Sequence, residues 1–459
     1  MNGNAIGWTG IVRLGLIQAG IGAIVVLATS TMNRIMVVEL ALPAVLPGLL
    51  VALHYVFQLL RPRMGYGSDV GGRRVPWIIG GIAVLAIGGV GAAAATALMA
   101  SRPMLGIAAA IVAYAVIGAG VSAAGTTLLV LLAQRVAPAR RAAAATIVWL
   151  MMIAGIGVTA TVVGRLLDPY SPFRLIQVTA EVAGMVVVLS LLAVWGIEGR
   201  SSDRQRAVTS VKKDAEAGFM EALRQVWTEP QARNFAIFVF VAMLAYSAQE
   251  LILEPFAGAV FGLTPGQSTG LTGMQHGGVL LGMAVVAVAG ANLPGRLGSL
   301  RLWTIGGCAA SSIVLLALAI GGFAGPSWPL RPIVFALGVA NGAFAVSAIG
   351  SMMQLAHSGR ASREGVRMGL WGAAQALAFA CGGLISTTAS DIAHRLLGSP
   401  VTAYAAVFVG EAVLFLLAAG QAARVFGAAS RDTGEQSSSP LRDAMPEPMS
   451  EAMPEPRGA

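Results

Sequence analysis

At 459 residues, 56% hydrophobic and 11% charged, with a mean hydropathy of +0.76, the chain has far more apolar surface than a water-soluble fold can bury. This excludes a soluble enzyme and places it in a bilayer. The formal charge of +9 would suit a nucleic-acid partner, but most of the Lys and Arg residues fall in the N-terminus, alternate loops and C-terminal tail on one side of a membrane, which is the positive-inside pattern and not a binding stripe.

Windows long enough to cross hydrocarbon, about 20 residues each, fall in chain order at 14–38, 44–60, 76–99, 104–133, 142–166, 173–196, 235–253, 269–290, 302–323, 332–355, 366–388 and 402–426. These twelve spans predict an all-α polytopic membrane protein in two six-helix halves, 1–197 and 235–427, joined by a polar linker, 198–234, that holds both lysines, Lys212 and Lys213. The charge asymmetry puts both termini in the cytoplasm. The first apolar run lacks a basic start and a small-residue cleavage site, so no cleavable leader is expected. After Gly427 the composition turns to Ser, Pro, Glu and Met, with DAMPEP followed by EAMPEP. Too few large apolar residues remain there to offset ordering entropy, and 428–459 is predicted to be a disordered tail.

Polar groups at bilayer depth are costly unless paired or facing a cavity, which makes each a functional candidate. The first span carries Gln18, Asn33, Arg34 and Glu39, the last two of which can pair near an interface. The seventh carries Gln249, Glu250 and Glu254 in YSAQELILEP, and residues 250 and 254 share one helical face. Two stacked carboxylates suit a proton-coupled carrier; the plainer alternative is an interfacial group neutralised by water or by Arg34. His54 and His276 sit in apolar spans. A neutral imidazole is a good axial ligand for a metal in a flat macrocycle, although a membrane histidine also serves as a hydrogen-bond tie to a neighbouring helix. Gly273, Gly277 and Gly278 around His276 admit either a planar ligand or a close helix. His357 and His394 read as loop residues. Glu39, Pro47 and His54 in the first half are echoed by Glu254, Pro265 and His276 in the second, a weak internal repeat. Cys308 and Cys381 have no Cys/His cluster around them and imply neither disulfide nor bound metal. No Walker loop, HExxH pair, Gly-x-Ser-x-Gly elbow or DDxxD-type pair is present, so no enzyme activity is expected.

The loop RPRMGYGSDVGGRR, Arg61 to Arg74, carries Gly65, Asp69, Gly72, Arg73 and Arg74 in the order G-x-x-x-D-x-x-G-[RK]-[RK]. It resembles the conformational loop between helices 2 and 3 of the major facilitator superfamily, with Val70 where a basic residue often stands. R-L-x-L-x-Q from Arg13, T-x-N-R-I-M-V-V-E-L from Thr31 and G-S-D-V-G-G-R-R-V-P from Gly67 together resemble the PucC and LhaA family, the bacteriochlorophyll delivery branch of that superfamily. The wording of the loop is most similar to a third branch labelled a bacteriochlorophyll synthase chain. The resemblance implies a protein of the bacterial inner, intracytoplasmic membrane that handles bacteriochlorophyll as cargo and assists assembly of light-harvesting complexes. Its implied partners are membrane lipid, light-harvesting apoproteins and chlorophyll synthase. For such a cargo His54 or His276 is a candidate ligand of the pigment magnesium, Asn33, Arg34, Glu250 and Glu254 are candidates to orient its polar substituents, and Gln18 and Glu39 are further candidate pigment-binding residues. A proton-coupled small-molecule exporter and a ligand-free assembly scaffold remain as alternatives.

Overall fold

The computed structural model describes residues 6–58, 74–137, 140–197, 224, 227–292, 299–357 and 364–438. Twelve helices follow in chain order. They are α1 (Trp8–Glu39), α2 (Val45–Phe57), α3 (Val75–Met99), α4 (Pro103–Arg135), α5 (Arg141–Leu166), α6 (Pro172–Val194), α7 (Pro230–Phe261), α8 (Pro265–Asn292), α9 (Leu300–Ala324), α10 (Leu330–His357), α11 (Glu364–Leu397) and α12 (Pro400–Ser438). Eleven are long and apolar enough to cross a membrane; α2, 13 residues as described, runs into a stretch outside the described residues. The loop residues Gly65, Asp69, Gly72 and Arg73 lie in that stretch, and Arg74 stands at the N-cap of α3.

Local chemistry explains where the helices start and stop. Proline opens α4, α6, α7, α8 and α12, where its missing N–H costs nothing. Ser171 caps α6 by accepting from the Arg174 N–H at 3.1 Å. Gly262, Gly325 and Gly398 take positive φ just beyond α7, α9 and α11, the backbone conformation that a side chain resists. Because Pro230 starts α7, the second half begins five residues before the predicted 235. Helix α12 continues past Gly427 to Ser438, so the first residues of the expected tail are helical, while 439–459 lie outside the described residues. Ala, Arg, Glu and Gln in that stretch are good helix formers, and extending an existing helix avoids the cost of nucleation.

Each half has its own core. The first is aliphatic, with Ile17, Ile24, Leu85, Ile117 and Leu128 fully buried and Tyr114 its large aromatic. The second is built on Phe235, Phe238, Phe256, Phe344, Phe408, Phe415 and Trp371, whose rings meet mostly edge to face. Two seams join the halves, α2 against α11 and α5 against α8. Backbones nearly touch along the second seam. A methyl on Gly164 would fall 2.6 Å from the Gly266 carbonyl, and one on Gly273 would fall 2.8 Å from the Thr161 nitrogen. Lipid gives apolar side chains little reason to associate, so this close approach supplies the attraction.

Candidate functional site

The second part of α1 departs from α geometry, with π-helical turns at Leu27–Met32 and Ile35–Glu39. The widened turns present Ser30, Thr31, Asn33 and Arg34, all buried, to α7 and α8, and such bulges are frequent at functional sites. Glu254 of α7, 1% exposed, accepts hydrogen bonds from Ser30 and Thr272 on one oxygen and from Thr269 at 3.4 Å on the other. The Thr31 and Thr269 hydroxyls are 3.1 Å apart. Hydroxyls from α1 and α8 therefore surround a carboxyl group from α7.

Asn33 donates to the Leu251 carbonyl at 2.8 Å. That carbonyl lacks its usual helical partner because residue 255, four positions on, is proline and has no N–H. Arg34 pairs with Glu39 and donates to the Leu263 carbonyl at 2.6 Å; its guanidinium lies over Gly258, where a Cβ would come within 2.8 Å. The Arg34–Glu39 pair was foreseen as an alternative and is found. Glu254 takes its hydrogen bonds from hydroxyls, with Arg34 near enough to act on the carboxyl group electrostatically. Tyr170, in the turn before α6, has its phenol pKa raised by burial and by the nearby Glu39 carboxylate.

Two aspartates complete this end of the bundle. Asp168, just past α5, accepts from the Thr264 hydroxyl at 2.6 Å and the Gly266 N–H at 3.2 Å, at the start of α8. Asp391 of α11 accepts from the Ala44 and Val45 N–H groups at 2.9 and 2.8 Å, at the start of α2. Each carboxylate comes from one half and caps a helix of the other, satisfying N–H groups that have no partner in their own helix. A cavity of about 400 Å³ beside Asp391 is lined by Val38, Leu42, Ala259, His394, Arg395 and Tyr404, among others. His394 is a helical residue of α11, not a loop residue, because the helix continues to Leu397. His357 likewise ends α10.

The histidines differ. On α2, His54 is buried, and its Nε2 accepts from the Gln58 amide at 3.1 Å, which engages the lone pair. His276 faces α5, its Cβ 3.2 Å from where a Gly157 Cβ would stand. Its Nδ1 donates to the Thr272 carbonyl at 2.9 Å, leaving Nε2 as the lone-pair nitrogen with no hydrogen-bond partner among the described residues. Of the nearby glycines, Gly273 and Gly278 meet α5 and α10, whereas Gly277 faces open space. Gln18 donates to Met152 Sδ at 3.2 Å, and its Oε1 is buried without a hydrogen-bond partner among the described residues, as are both amide atoms of Gln249. Glu250, half-buried, has no hydrogen bond among the described residues. Asn33, Arg34, Glu39 and Glu254 thus form one cluster across the halves, while Gln18, Glu250 and His276 keep polar groups unspent and His54 stands apart.

Sequence reasoning missed Ser30, Thr31, Thr269, Thr272, Asp168 and Asp391. A signal for the aspartates existed. Arg165-Leu166-Leu167 before Ser171-Pro172 is repeated as Arg395-Leu396-Leu397 before Ser399-Pro400, which marks the equivalent corner of each half.

Two six-helix halves, paired through α2–α11 and α5–α8 around buried polar groups, define a multi-span membrane protein of the major facilitator fold. Solved relatives agree in fold. The nucleoside transporter NupG superposes with a TM-score of 0.66 at 12% identity over 91% of this chain and 99% of its own. A bacterial homologue of the human lysosomal transporter Spinster, inward-facing and unoccupied, gives 0.64 at 16% identity over 91% and 97%. The chain belongs to the PUCC protein family, whose model matches residues 31–429. It is 53% identical to the bacteriochlorophyll synthase 44.5 kDa chain of Rhodobacter capsulatus over 92% of this chain and 96% of that one. It is 29% identical to protein PucC of the same organism over 89% and 90%. It is a multi-span membrane protein of that family.

Proposed function

We propose that the chain binds bacteriochlorophyll within its carrier fold and hands it to light-harvesting apoproteins or to neighbouring pigment enzymes, without itself changing the pigment. The observation that carries the reading is the near full-length similarity to a relative named for bacteriochlorophyll synthesis, on a fold whose solved neighbours are transporters and in a sequence with no catalytic motif. His276 is the residue best suited to the pigment. Its tautomer is set by Thr272 and its Nε2 is unspent, as an axial ligand to magnesium requires, and Gly277 beside it leaves room. Gln18 and Glu250 supply the remaining polar groups for the ring substituents. Asn33, Arg34 and Glu254 instead hold the halves together. In this reading the Asp168 and Asp391 end faces away from the cytoplasm, in keeping with the charge asymmetry of the loops, and a closed outer end keeps the cargo within reach of the membrane interior.

Absorption spectra and pigment extracts of protein purified in mild detergent from a phototrophic host test the reading. A stoichiometric magnesium tetrapyrrole is expected, with His276→Ala lowering occupancy at least fivefold and His54→Ala changing it less than twofold. Pigment-free wild-type protein overturns the proposal. A second reading, a proton-coupled exporter, is favoured by Glu254 in its ring of hydroxyls one turn from Glu250; pH-driven flux in vesicles by pigment-free protein would select it.

A further inference from the structure

The face of α6 turned away from the bundle holds a feature that cargo handling does not use. Glu181 is the tenth residue of a 23-residue span, about 13 Å in from the Pro172 end at 1.5 Å per residue, and it is exposed. The other exposed charged residues of the described spans lie in the first or last turn of their membrane spans. Glu181 accepts a hydrogen bond from Gln177 at 2.9 Å, and this pair is also exposed. Ala180, Gly184 and Val188 continue the same stripe, with nothing within 4 Å of where a Gly184 side chain would begin. The opposite face of α6 is occupied. Val178, Val182 and Val186 are buried, and Val186 packs so closely over Gly20 of α1 that a Cβ there would lie 2.7 Å away.

A carboxylate facing hydrocarbon at mid-depth is costly and is retained when something pairs with it. Small residues beside it let another helix approach closely, and polar side chains hold such helices together. We propose that this face of α6 docks a transmembrane helix of another protein, one that brings a basic or hydrogen-bond-donating side chain to Glu181 while crossing at Ala180 and Gly184. Charge argues against a second copy of this chain, because a symmetric α6–α6 contact would oppose two like carboxylates at mid-depth.

The test uses the full-length protein in its native membrane, with a photo-crosslinking amino acid at Gly184 and, as a control, at exposed Ile313 of α9. The expected result is an adduct from position 184, not 313, whose partner peptide is a transmembrane segment with Lys, Arg or His near its middle. Replacing both polar residues, Gln177→Leu and Glu181→Leu, reduces the adduct at least tenfold and leaves the thermal stability of the purified protein unchanged or raised. Adducts to lipid alone, adducts to α6 of a second copy, or an adduct that survives the double substitution would each overturn the proposal.

Discussion

Asn33 and Pro255 show how single residues tie the halves together. Proline in α7 removes an N–H and leaves the Leu251 carbonyl without a helical partner; in a bilayer that carbonyl has no water to turn to, and Asn33 of the other half supplies the donor. Asn33→Leu is expected to cost about 1–3 kcal/mol, the penalty of an orphaned buried acceptor, read as a lower melting temperature in detergent. Pro255→Ala restores the backbone donor, so adding it to Asn33→Leu should recover most of the loss. A double variant as unstable as Asn33→Leu alone would show that Asn33 acts through other contacts. Arg34 follows the same logic at a neighbouring position, giving one donor to Glu39 and another to the Leu263 carbonyl.

At the scale of elements, helix ends close one end of the bundle. Asp168 and Asp391 place negative charge on the N-termini of α8 and α2, where the helix dipole is positive, each interaction contributing about 0.5–2 kcal/mol. Removing both, Asp168→Ala with Asp391→Ala, is expected to open that end. Ser268, fully buried beneath it, provides the readout: in a background with Cys308 and Cys381 replaced by Ala, Ser268→Cys should label severalfold faster with a membrane-impermeant maleimide once the aspartates are gone. Equal labelling with and without them would mean that the seams alone keep the end shut. The helices were legible in the sequence because span length and proline and glycine punctuation are local properties. The candidate cluster was legible only in part. Asn33, Arg34 and Glu254 stand out as polar groups in apolar runs, but serine and threonine blend into membrane helices because they can bond to their own backbone, so the hydroxyls around Glu254 gave no signal. The Glu39, Pro47, His54 repeat does not mark equivalent sites, since Glu39 sits exposed at the end of α1 and Glu254 is buried inside α7.

For the whole molecule, the arrangement is two halves, each with its own core, that meet along two seams and share a polar cluster at one end. Halves that each have their own packed core favour rocking over internal rearrangement, because packed cores resist gradual deformation. The α2–α11 seam allows this to be tested directly. A Cβ on Gly48 would stand 3.1 Å from the Thr387 Cβ, close to the spacing a disulfide needs, about 3.5–4.5 Å. Gly48→Cys with Thr387→Cys, in the cysteine-free background, should therefore cross-link on oxidation and fix the closed end. If cargo leaves by rocking of the halves, oxidation arrests pigment release to acceptor protein in liposomes and reduction restores it. If the pigment instead slips sideways between helices while that end stays closed, release proceeds at the same rate in both states, and the carrier works as a lateral conduit with its halves held still.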